Sequence, residues 1–157
     1  MRIAFIGSEV SARIALALAE AGHELTCVLS FAKSPAPVPV TWKEVESRTG
    51  VACRLGAVTR ETIGDIHRSG PDLILCAGYP RRLDVRPGDP VPAVNFHPSP
   101  LPEGRGPAPI PWAILTGRQA TAVTFHEMVE RFDAGPIILQ RELPLTAGET
   151  AASLESR

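Results

Sequence analysis

Short apolar runs recur along this chain, separated by segments of helical length that are polar or amphipathic. RIAFIG (2–7) closes on a glycine and predicts a buried strand. SEVSARIALALAEAG (8–22) sets Ile14, Leu16 and Leu18 among alanines at helix-compatible spacing and predicts a helix ending at Gly22. ELTCVLS (24–30) predicts a second strand, FAKSPAPVP (31–39) a loop, and TWKEVESRTG (41–50) a short helix stopped by glycine. A brief strand over Val51–Leu55 and a polar helix over Thr59–Ser69 lead to DLILCAG (72–78), the clearest buried strand. AVNFH (93–97) predicts another strand, and PIPWAILTG (109–117) a helix whose prolines sit at its start, where no backbone N–H is needed. TAVTFHEMVE (121–130) and PIILQRELPL (136–145) predict two strands joined around an Asp-Ala-Gly turn. TAGETAASLESR (146–157) then begins a helix and stops within its first turns.

Strands alternating with helices imply an α/β fold. The pattern predicts a Rossmann-like three-layer architecture with a mostly parallel sheet and an antiparallel strand pair near the C-terminus. There is no internal repeat and no linker composition, so residues 1–157 are expected to form one domain. The abrupt last helix points to a fragment, or a domain excised from a longer protein.

Charge narrows the partners. Lys and Arg number 16 against 17 Asp and Glu, so no global field directs the chain to nucleic acid or to an anionic membrane. No run approaches the length of a transmembrane helix, and MRIAFIG lacks the pattern of a signal peptide. The three cysteines, Cys27, Cys53 and Cys76, form no CxxC pair, which argues against a zinc site and fits a reducing cytoplasm.

Two places suggest chemistry. FIGSEVSA has the strand–turn–helix form of a dinucleotide site but only Gly7 of the three glycines such a site needs. The stretch reads instead as an ordinary strand–helix turn, at which Gly7 and Ser8 still leave room for an anionic group of a substrate at the helix start. The second place is VNFHPSPLPEGRGPAP (94–109). Asn95 and His97 are two apart, so on a strand they share a face, at the strand's carboxyl end where ligands bind in open α/β sheets. An amide can hold a developing oxyanion and an imidazole can move a proton near neutral pH. Pro98, Pro100 and Pro102 stiffen the backbone beyond them. Alone, such a pair reads as a turn cap and a core histidine.

The combination changes that reading. NFHPSPLPEGRG, WAILTG, TAVTFHEMVERFDAGPIILQ and ELPLTAGET together resemble the folate-dependent formyltransferase family, and the likeness reaches back to MRIAFIG and CAGYPRRL. The family pattern is Asn-x-His, a Ser-x-Leu-Pro stretch, a glycine, and a downstream Asp-x-Gly; here these are Asn95, His97, Ser99, Leu101, Pro102, Gly106, Asp133 and Gly135. The resemblance implies transfer of a formyl group from 10-formyltetrahydrofolate to a small-molecule or carrier-bound amine, with no metal, and, as in many relatives, an acceptor-binding or partner domain beyond residue 157. It implies Asn95, His97 and Asp133 as the catalytic trio, and Ser99 and Gly106 as substrate-side loop residues. It also implies a folate site at Tyr79, Pro80, Arg81, Arg82 and Leu83 and at Val129, Glu130, Arg131 and Phe132, much of it through backbone groups. Without the resemblance, Arg81 and Arg82 read as a solvated surface pair, His126 as a strand histidine or a lining of the acceptor side, and Trp112 as core. Two rival readings share the trio: a formyltetrahydrofolate hydrolase, and a non-catalytic module that binds folate or a protein partner.

Overall fold

The computed structural model describes residues 1–34 and 38–157, so the middle of the loop expected over 31–39 lies outside the described residues. The chain forms two compact units, Met1–Val94 and Asn95–Arg157.

The first unit is built on β1 (Arg2–Gly7), β2 (Glu24–Ser30), β3 (Cys53–Leu55) and β4 (Leu73–Ala77) in the order β3-β2-β1-β4. Every one of these pairs is parallel. Parallel strands need crossovers, and α1 (Ala12–Glu20), α2 (Trp42–Thr49) and α3 (Arg60–Ser69) supply them. β1 is flanked on both sides, and Ile3, Ala4, Phe5 and Ile6 are all buried. That explains why RIAFIG reads as a continuous apolar run rather than an alternating one. Phe5 meets the buried Trp42 edge-on at 6.0 Å, which joins α2 to this core.

The helix limits follow local capping chemistry. The Thr41 side chain accepts from the Glu44 N–H, and Gly50 closes α2 at φ 73°. Thr59 and Thr62 form a reciprocal capping box at the start of α3, and Gly70 ends it at φ 64°. One expectation is corrected. The helix expected from Ser8 begins at Ala12, after a 3₁₀ turn over Glu9–Ser11. The Ser11 hydroxyl donates to the Ser8 carbonyl at 2.7 Å and to the Ala77 carbonyl at 2.9 Å, tying this turn to the end of β4. The buried Glu9 carboxylate accepts from the backbone N–H groups of Ser34 and Trp42, at 2.8 and 3.2 Å.

The second unit takes over within β5 (Ala93–His97) and continues through α4 (Pro109–Leu115), β6 (Ala120–Glu127), β7 (Ile137–Pro144) and α5 (Ala151–Glu155). The strand order is β5-β6-β7, and β6 and β7 run antiparallel with Thr124 directly opposite Gln140. The fold is thus the mostly parallel α/β arrangement with an antiparallel pair that the alternation predicts. β7 is the edge, and Ile137, Ile138 and Leu139 on it are exposed. Trp112, expected in the core, is instead 63% exposed. On the short α4 it is Ala113 that is buried, and one helical residue turns the neighbouring side chain about 100° away from that face. Among the described residues no helix is long and apolar enough to cross a membrane.

Candidate active site

β5 ends by presenting two side chains on one face, and Asp133 is where they converge. Asn95 Nδ2 lies 3.4 Å from Asp133 Oδ1, and His97 Nδ1 lies 3.7 Å from the same oxygen. The three residues that the sequence singles out as a trio are therefore neighbours, although 36 positions of chain separate His97 from Asp133 (133 − 97). His97 and Asp133 are buried, with side-chain exposures of 8% each.

Asp133 reaches this place through an uncommon backbone. Its φ is 50°, a left-handed conformation that Asp tolerates better than most residues. Two positions on, Gly135 passes so close to β6 that an added Cβ would sit 1.9 Å from the Glu127 carbonyl oxygen. The Asp-x-Gly spacing is thus explained: the aspartate makes the turn, and only glycine lets the strand return. The loop after β5 clasps the aspartate from the other side. Gly106 N–H donates to Asp133 Oδ2 at 2.8 Å, and Arg105 Nε donates to the Asp133 carbonyl at 2.9 Å.

A fourth side chain joins them, one that the sequence leaves as a strand histidine or an acceptor-side lining. His126 on β6 is 2% exposed, and its Nε2 lies 3.2 Å from Asn95 Nδ2 and 3.5 Å from Asp133 Oδ1. The signal that finds it is the one used for Asn95 and His97. In VTFH, Thr124 and His126 are two apart on a strand and share its buried face.

The hydrogen bonds assign the protons. His97 Nε2 is 2.9 Å from the Gly104 carbonyl, which only accepts, so Nε2 carries the hydrogen and Nδ1 turns its lone pair toward Asp133. His126 Nδ1 is 2.8 Å from the Glu127 carbonyl, so there Nε2 is the lone-pair nitrogen, and it accepts from Asn95. Both imidazoles thus aim a basic nitrogen at one carboxylate. Burial pushes the Asp133 carboxyl up, but a hydrogen bond from His126 once its Nε2 is protonated, the Gly106 N–H, and the charges of His97 and His126 in their protonated forms outweigh it and hold the group below its ordinary value. Asp133 is ionised at neutral pH and ready to stabilise a positive charge on either ring.

The other expected residues take varied places. The Ser99 hydroxyl is buried and donates to the Glu103 carbonyl at 3.0 Å, so it orders the loop. Val129 is half-buried, and Glu130, Arg131 and Phe132 are exposed on the segment leading into Asp133. In the first unit, the Tyr79 hydroxyl accepts from the Val58 N–H at 2.8 Å, the Arg81 guanidinium lies 4.2 Å over the Phe31 ring, and Leu83 is buried. Pro80 and Arg82 are exposed. Gly7 is hemmed in: a Cβ there would lie 2.4 Å from Ser11 Oγ and 2.6 Å from the Ala77 carbonyl. The Ser8 N–H donates to that same carbonyl at 3.2 Å. Among the described residues no group of three or more His, Cys, Asp or Glu is placed to hold a metal ion.

Comparison with known proteins bears on this arrangement. The profile of the formyl transferase family matches residues 1–157. A methionyl-tRNA formyltransferase of Anaeromyxobacter dehalogenans is 38% identical over 170 residues, covering 100% of this chain and 54% of the relative. One from Thermotoga neapolitana is 34% identical over 173 residues, covering 100% and 53%. The chain thus spans about half the length of the curated relatives it matches. Among solved structures, glycinamide ribonucleotide transformylase 1 from Geobacillus kaustophilus superposes with a TM-score of 0.76 at 26% identity, covering 99% of this chain and 89% of that one. Phosphoribosylglycinamide formyltransferase from Streptococcus pneumoniae shares the fold, with a TM-score of 0.78 at 22% identity over 99% of this chain and 88% of that one. A strand-end Asn-x-His meeting an Asp-x-Gly aspartate, in a chain matched by that profile from end to end, places this protein in the formyl transferase family.

Proposed function

We propose that this chain transfers a formyl group from 10-formyltetrahydrofolate to an amine, with Asn95, His97 and Asp133 as the catalytic residues. The observation that carries the reading is their convergence on Asp133 Oδ1 within 3.4–3.7 Å, in a member of this family. The amine nitrogen attacks the formyl carbon, negative charge grows on the formyl oxygen, and the bond to the folate nitrogen breaks as that nitrogen takes a proton.

Each side chain has a part in this sequence. The two Asn95 N–H groups point at His126 Nε2 and Asp133 Oδ1, at 3.2 and 3.4 Å. The longer contact is the weaker, and an arriving oxyanion takes that N–H. Losing one such donor typically costs about 10²–10³ in rate. His97, when protonated on Nδ1, offers that N–H to the oxyanion while Nε2 stays on the Gly104 carbonyl, and Asp133 steadies the charge and helps carry the amine's proton to the departing nitrogen. Val129–Phe132 leads directly into Asp133, so we assign it to the folate in the second unit. Tyr79–Leu83 is the corresponding assignment in the first unit. For the amine, the relatives suggest methionyl-tRNA and glycinamide ribonucleotide as the first acceptors to try.

The test incubates the protein with 10-formyltetrahydrofolate, with and without each amine, and follows tetrahydrofolate release. Release that requires an amine supports transfer. Release with water alone identifies a hydrolase instead, and folate binding without turnover under every condition overturns catalysis.

A further inference from the structure

Neutral His97 has one imidazole proton and two acceptors competing for it: the Gly104 carbonyl at 2.9 Å from Nε2, and the Asp133 carboxylate at 3.7 Å from Nδ1. The carboxylate at 3.7 Å lies beyond hydrogen-bond range and the Gly104 carbonyl within it, so the proton of the neutral ring sits on Nε2 and Nδ1 is left as the base. The position of the loop bearing Gly104 therefore decides which nitrogen is reactive.

That loop is held from the two strands beside it. On β6, the Thr124 hydroxyl is fully buried and donates to the Ser99 carbonyl at 2.6 Å. A hydroxyl has one hydrogen, so its oxygen can only accept from Gln140 Nε2, 2.9 Å away on β7. The same Gln140 amide donates to the Leu101 carbonyl at 2.9 Å. Gln140 and Thr124 are directly opposed in the β6–β7 register, so their side chains stand together on one face. Within the loop, Ser99 Oγ reaches forward to the Glu103 carbonyl at 3.0 Å and carries the constraint to the residue before Gly104.

We propose that Gln140 is a positioning residue: its amide braces the Ser99–Gly104 loop, and the loop keeps the His97 proton on Nε2 and the Nδ1 lone pair facing Asp133. The proposal rests on the formyl-transfer reading for its effect on turnover, but not for its effect on the imidazole. Gln140 is exposed on an edge strand, so replacing it leaves no buried hole.

The test uses Gln140→Leu, which keeps bulk and removes both donated hydrogen bonds, and Gln140→Lys, which retains a donor of similar reach. Nitrogen NMR of the ¹⁵N-labelled protein reads the His97 tautomer directly. Wild type and Gln140→Lys are expected to show the Nε2–H form, and Gln140→Leu a mixture with Nδ1–H. In steady state, Gln140→Leu is expected to lower kcat about three- to tenfold, the net worth of one or two neutral hydrogen bonds, with KM for 10-formyltetrahydrofolate nearly unchanged. An unaltered His97 tautomer in Gln140→Leu overturns the brace, whatever the activity. Wild-type protein with no turnover, together with the tautomer change, overturns the formyl-transfer reading and leaves the brace standing.

Discussion

Asp133→Asn is the most informative single change, because it removes a charge and little else. Asparagine accepts φ near 50° as readily as aspartate, so the turn leading to Gly135 is preserved. The new side-chain oxygen can keep the Gly106 N–H now held at 2.8 Å, which turns the amide nitrogen toward His97 and His126. What disappears is the carboxylate charge 3.7 Å from His97 Nδ1. Across that distance, at an effective dielectric of about 20, Coulomb attraction to an imidazolium is about 4.5 kcal/mol. That corresponds to about 10³ in rate if the imidazolium is fully formed in the transition state. The amide dipole recovers part of it, so the expected loss in kcat is about 10²–10³. The assay is tetrahydrofolate release with an amine that supports wild-type turnover, alongside a folate-binding titration expected to change little. A variant that turns over within about threefold of wild type would refute the charge argument, since a difference that small corresponds to well under 1 kcal/mol.

Three further outcomes are expected. The Asp133 carboxyl is lowered in the folded state, so it adds stability above its unfolded value that is lost as pH falls through the folded one; the wild-type advantage over Asp133→Asn in thermal melts should hold near neutrality and shrink below about pH 4. Gly135→Ala places a methyl 1.9 Å from a backbone oxygen, which should lower stability by about 1–3 kcal/mol and Tm by roughly 2–4 °C for each, seen in a melt, with kcat falling because Asp133 moves too. His126→Ala removes the acceptor that orients the Asn95 amide at 3.2 Å and should reduce kcat about tenfold with folate binding retained; an unchanged kcat would show that Asn95 orients itself.

Much of this protein is written locally. The apolar run 2–7 names a strand covered on both faces, Thr41 and Gly50 bracket a helix by capping chemistry, and Asn95 and His97 declare a shared face by being two residues apart. The Asp-x-Gly pair can be recognised in sequence as well, although the reason for it cannot. That reason is the approach of Gly135 to the Glu127 carbonyl on another strand.

Other features depend on partners distant in the chain. Trp112 fits a core position by composition, yet the direction in which α4 turns Ala113 leaves it in solvent. VTFH puts Thr124 and His126 on one strand face, but that this face meets Asn95 is decided only when β6 is placed beside β5. Gln140 acquires a role only from the register that sets it opposite Thr124 and beneath the Leu101 carbonyl. The physical reason is one of range. Strand, helix and cap preferences are decided by atoms a few residues apart, so the sequence states them. Which nitrogen of His97 carries its proton is decided by carbonyls and carboxylates that meet only when the strands have packed, and the tertiary structure alone determines that.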